Sequence, residues 1–153
     1  IYTYFTIEMI FMWLNLGVLP FWLVLIIFPQ SQICRFFITS IFPIFILSIA
    51  YGYLLYLFFN QGYDFIDNFE LYRGLDSVSN LFTNKSFLTL FWLHFLAINL
   101  FCGGWIVKDS QKFGINKILL SFPLLTTYFI GPIGLTLYWI IRIFYAKRIN
   151  LYD

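Results

Sequence analysis

His94 is the single histidine in a chain of 153 residues, and it sits inside a long apolar stretch. An imidazole titrates near neutral pH, so it can act as a general acid or base, or ligate a pigment metal. Asn99 follows on the same stretch, about 140° round a helix from His94. It shares a stripe with Cys102 and Gly103. Glu8 stands at the edge of the first apolar run and would share a helix face with Asn15. Asp109 follows Lys108 at the end of the third run, where a carboxylate can end a helix. His94 and Asp109 would lie about 22 Å apart along a straight helix, too far to act on one atom. One histidine supplies neither a bis-histidine haem site nor a di-iron site of carboxylates and histidines. The chain holds no Walker loop, no GxGxxG, no HExxH and no paired-cysteine metal spacing.

These residues are positioned by four apolar runs, 9–28, 36–59, 86–107 and 118–141, none of which contains Asp, Glu, Lys or Arg. About 20 helical residues match a hydrocarbon core near 30 Å. The chain is 61% hydrophobic and 10% charged, well below the charge content of about 25% usual in soluble domains. The runs do not alternate as barrel strands do, and backbone pairing in lipid favours helices. The expectation is one all-α integral membrane domain over 1–153, a four-helix bundle. Leu71, Leu75, Val78 and Phe82 recur at helical spacing in the 60–85 connection, which predicts a short interfacial helix between spans two and three.

Within such a bundle His94, Ala97, Phe101 and Gly104 fall on one face. An imidazole there is expected to turn toward protein, where a hydrogen bond between helices is the structural alternative to chemistry. Asn99 is expected to bond a neighbouring helix. For Glu8 the structural alternative is a solvated helix start. Gly131-Pro132-Ile133-Gly134 interrupts the fourth run: glycines permit close approach, and proline removes a backbone donor and can free a carbonyl.

The net charge of +2 is too weak to suggest nucleic acid, so no nucleic-acid partner is expected and membrane lipid is the expected surroundings. The first run lacks a preceding basic stretch and a following small-residue cleavage site, and is read as a retained span. Cys34 and Cys102 would lie toward one side of the membrane, with a disulfide disfavoured. Four crossings would place five basic residues (Arg73, Lys85, Arg142, Lys147, Arg148) on one side and four (Arg35, Lys108, Lys112, Lys117) on the other. That leaves orientation undecided by the positive-inside rule.

The stretch Trp92-Leu93-His94-Phe95-Leu96-Ala97-Ile98-Asn99-Leu100-Phe101, then Gly104-Trp105 and Lys108-Asp109, resembles the ABA4-like family of membrane proteins linked to neoxanthin synthesis. Val18-Leu19-Pro20-Phe21, Pro29, Tyr51, Tyr53-Leu54-Leu55-Tyr56 and Gly131-Pro132-Ile133-Gly134 extend the likeness in order from about residue 10 to 142. The family pattern has Asp where Asn99 stands here, which separates membership from identical activity. The resemblance implies a carotenoid partner and isomerisation of a carotenoid epoxide, redox-neutral chemistry with no required cofactor. It implies His94 as acid or base, with Glu8 and Asp109 behind it. A bound carotenoid or chlorophyll would lie against His94, Asn99, Phe101, Trp105, Gly131 and Tyr138, with no metal site of the protein's own. The implied setting is a plastid thylakoid or envelope, or a bacterial photosynthetic membrane. The other reading is a non-catalytic pigment- or lipid-binding subunit beside photosystem or light-harvesting partners.

Overall fold

A computed structural model of the chain describes residues 6–150; the ends of the domain expected over 1–153 lie outside the described residues. Every regular element among the described residues is helical: α1 (Ile7–Ile27), α2 (Phe42–Asn60), α3 (Leu75–Phe82), α4 (Lys85–Lys112), α5 (Lys117–Phe129) and α6 (Gly131–Ala146). A π-helical turn (Cys34–Ile38) precedes α2, and a 3-10 helix (Phe65–Tyr72) precedes α3. α1, α2 and α4 are long and apolar enough to cross a membrane, as the first three runs predict.

Short polar side chains start these helices by accepting backbone N–H groups that have no partner in the first turn. The Thr6 hydroxyl takes the Met9 N–H at 3.3 Å. The Asn84 carbonyl takes those of Ser86 and Phe87, and Asn116 takes that of Ile118. The helices are apolar nearly all round. Val18, Leu25, Leu54, Leu93, Ile106 and Leu124 fill the interior, while Leu16, Leu23, Phe45 and Ile49 point outward. An apolar outer face is the mark of a helix solvated by lipid.

α1 and α4 run parallel. Lys85 Nζ meets Glu8 Oε1 at 2.8 Å, and Trp92 Nε1 donates to Asn15 Oδ1 at 2.9 Å, both pairs separated by 77 positions. Near the other end Gln111 donates to the Pro29 carbonyl. α2 runs antiparallel to α4: Gln61 pairs with Ser86, Phe58 with Phe87 and Tyr51 with His94. The segment between α2 and α4 therefore shares one side of the molecule with Glu8 and Lys85. In it Leu71, Val78 and Phe82 are half-buried as their spacing predicts, but Leu75 is exposed. The expected single helix is two, because Asp64 and Asp67 cap the 3-10 turn reciprocally and Gly74 separates it from α3.

The fourth run departs from the expected crossing. It breaks at Ile130, and α5 and α6 fold back on each other. The start of α5 (Asn116, Leu119, Phe122) borders the end of α6 (Ile141, Tyr145). α6 runs parallel to α4: Gly131 lies against Asn99, Tyr138 against Trp105, and Arg142 against Asp109 and Phe113. With 13 residues, α5 rises about 20 Å, half a bilayer with its headgroups. The hairpin tip reaches the level of Asn99, the middle of the 28-residue α4. Two glycines permit this. A Cβ at Gly134 would stand 2.3 Å from Thr127 N, and one at Gly131 would stand 2.1 Å from Asn99 Oδ1.

The hairpin changes the charge count. Arg142, Lys147 and Arg148 end on the side of Lys108, Lys112, Lys117 and Arg35. Arg73 and Lys85 remain on the other side, with Glu8, Asp64, Asp67, Glu70 and Asp76. Both cysteines are free and Cys34 is buried, which pushes its thiol up to about 11 and leaves it a poor nucleophile.

A groove along α4 as the candidate functional site

The hairpin tip stops beside Asn99, so α5 and α6 do not extend over the His94 face of α4. His94 is exposed there. This corrects the expectation that it turns toward protein: the helix that would have covered it turns back at Gly131. The His94 side chain makes no hydrogen bond among the described residues. Its ring lies 6.4 Å from that of Phe91, nearly parallel, and 6.3 Å from that of Tyr51 on α2.

His94 stands on the wall between two hollows. The first holds about 490 Å³ between α2, α4 and the 3-10 segment, and Tyr51, Phe58, Tyr63, Tyr72 and Phe87 line it. Both this size and this apolar lining suit a lipid-sized ligand. Burial, then the Asp67 and Asp64 charges, then Tyr51, push the Tyr63 phenol above its usual range. It stays protonated and donates to Asn68 Oδ1. The second hollow, about 410 Å³, lies beyond His94 toward the hairpin tip, between Ile98, Asn99, Cys102, Gly131 and Pro132. Phe91 and His94 border both. The two hollows follow one another along α4 toward the middle of that helix.

Asn99 is 5% exposed, and its Nδ2 has no hydrogen-bond partner. The expected bond to a neighbouring helix is not made, because the neighbour facing it is Gly131, which offers no side chain. Asp109 does not end its helix at the interface. α4 continues to Lys112, and Asp109 is buried beneath α6. Arg142 Nε and Tyr138 Oη both donate to Asp109 Oδ2, at 2.7 and 2.6 Å. Arg142 also donates to the Asn150 carbonyl at 2.7 Å. Tyr138 is thus committed to this cluster rather than to a groove. Nothing along the chain marks Arg142 for burial; it reads as a charge after the last span. Glu8 is exposed at the loop side and paired to Lys85, away from His94. Phe101 and Trp105 border a separate hollow with Ile38 and Pro43. Of the sequence candidates, His94, Asn99 and Gly131 therefore come together; Glu8, Asp109, Phe101, Trp105 and Tyr138 do not join them.

A family model described as ABA DEFICIENT 4-like matches residues 9–138. The chain belongs to the ABA4-like family. The match takes in α1, α2, α4, α5 and α6 up to Tyr138, and so covers both hollows of this ABA4-like chain. A relative, Protein ABA DEFICIENT 4, chloroplastic, from Arabidopsis thaliana, is 24% identical over 129 residues. Those residues are 82% of this chain and 57% of that protein, so the chain spans little more than half of its relative's length. No solved structure matches.

Proposed function

We propose that this ABA4-like chain is a membrane protein of xanthophyll metabolism, which holds a carotenoid along α4 and isomerises an epoxide end group there. The observation that carries the reading is His94, open to an aromatic-lined path into the membrane interior. Family membership and the resemblance in span three support it. In the reaction an epoxide C–O bond breaks, the oxygen takes a proton to become a hydroxyl, and a C–H proton leaves as the allene forms. No electrons and no net protons are exchanged. A neutral imidazole has one N–H and one bare nitrogen, so His94 has the chemistry to give or take either proton. The relative's name places it in chloroplasts, and a plastid membrane is the setting proposed here.

The test is expression in a membrane host that makes violaxanthin. New neoxanthin that disappears in His94→Ala, with the variant still folded, is the expected outcome. Violaxanthin left unchanged by well-folded protein would refute the isomerase reading. A second reading, pigment binding without turnover beside photosynthetic partners, is favoured by one observation: among the described residues no carboxylate lines either hollow. His94 would then hold a chlorophyll magnesium or stack on a polyene. Pigment that co-purifies without neoxanthin formation would select it.

A further inference from the structure

The hollow at the hairpin tip has a polar floor that the rest of the protein does not use. Asn99 is nine-tenths buried, borders the hollow, and keeps an unpartnered Nδ2. Its amide cannot swing away on the Gly131 side, because Oδ1 is packed so closely there that a Cβ would stand 2.1 Å from it. α6 begins at the same point, with no side chain capping its first turn. A helix start carries partial positive charge, and Asn99 adds N–H donors. The floor therefore suits an acceptor. Among the described residues no Asp, Glu, Lys or Arg lines the hollow, and a charge at mid-membrane is costly. The acceptor that fits is uncharged: an epoxide, hydroxyl or ketone oxygen. Apart from Cys102 and Asn68, whose Oδ1 accepts from Tyr63, the rest of the lining is apolar or aromatic, so that oxygen belongs at the end of a long apolar molecule.

We propose that the hollow between His94, Asn99 and Gly131 binds the uncharged terminal oxygen of a long apolar lipid. The Asn99 amide donates to that oxygen, and the body of the lipid lies along α4 past His94. This rests on the groove reading above and adds which end enters and what recognises it. Asn99 is a binding residue here, and His94 alone is left to move protons.

The experiment uses the purified chain in nanodiscs, with violaxanthin and β-carotene as probes of similar length that differ in terminal oxygens. Retained pigment is read by absorbance after gel filtration. Wild type is expected to retain violaxanthin about tenfold better than β-carotene, the factor set by one good hydrogen bond. Asn99→Leu is expected to retain β-carotene as before and to lose the preference. A preference unchanged in Asn99→Leu would overturn the assignment and leave the groove reading standing. Wild type that retains neither pigment would overturn both. Ile98→Trp fills the same hollow from a lipid-exposed position and carries the test should Asn99→Leu fail to fold. It is expected to lose violaxanthin, and full retention would show that the ligand lies elsewhere.

Discussion

Arg142 is the side chain whose removal should cost the fold most. It is fully buried, and it compensates the Asp109 carboxylate that the Tyr138 hydroxyl alone cannot neutralise. A buried pair is weak evidence of net stabilisation, because both ions lose hydration on burial. Breaking it is another matter, since one charge is then stranded in an apolar interior. Arg142→Leu is expected to destabilise the protein by about 3–5 kcal/mol. A thermal melt in detergent, followed by gel filtration, checks this. The double variant Asp109→Leu with Arg142→Leu should recover most of the loss, because it strands no charge. If Arg142→Leu melts like wild type, the cluster contributes nothing to the fold. His94 differs at the same scale: it has no such partners, so His94→Ala should leave the melt nearly unchanged.

The element that decides the shape of the site is the α5–α6 hairpin, and its weak point is Gly134. A methyl group there would meet the backbone N and Cα of Thr127 as well as its hydroxyl, so moving the side chain alone would not make room. The helices would have to separate. Gly134→Ala is expected to lower stability by about 1–3 kcal/mol, the usual range for overpacking. Gly52→Ala is the control. It lies in α2 with nothing within 4 Å of the added Cβ, and alanine is the better helix former by about 1 kcal/mol. Its melt should rise or stay level. Equal melts for the two variants would mean that the hairpin is not tightly closed. The gap that the hairpin leaves above its tip is the groove, so the element that fails to cross also creates the site.

For the whole molecule, three crossings and a hairpin make a different prediction from four crossings. Residues 147–150 should lie on the side of the 28–41 and 113–116 connections, opposite the 61–84 segment. Single cysteines placed at Asn150, Asn116 and Asn80, in a background without Cys34 and Cys102, test this with an impermeant thiol reagent. Asn150 and Asn116 should label from one side and Asn80 from the other; labelling of Asn150 with Asn80 would restore a fourth crossing. The charge distribution adds a direction. Seven of the nine Lys and Arg residues fall on the hairpin side, so that side should face the compartment of synthesis. With four crossings the same residues divide five to four and decide nothing.

Much of this was legible along the chain because lipid reads composition. The runs without charges determined an all-helical membrane protein, and three of them form helices long and apolar enough to cross. The spacing of Glu8 and Asn15 marked the α1 face that meets α4, and the Gly131–Gly134 stretch marked a break with close approach. The unpaired donor of Asn99 was not legible, because its neighbour is set by where the hairpin tip stops. Nor was the exposure of His94. A run of apolar residues states how much hydrocarbon it can fill, and says nothing of whether it continues or turns back. That choice lies in contacts between distant positions, Arg142 with Asp109 and Gly134 with Thr127, which exist only once the helices are packed.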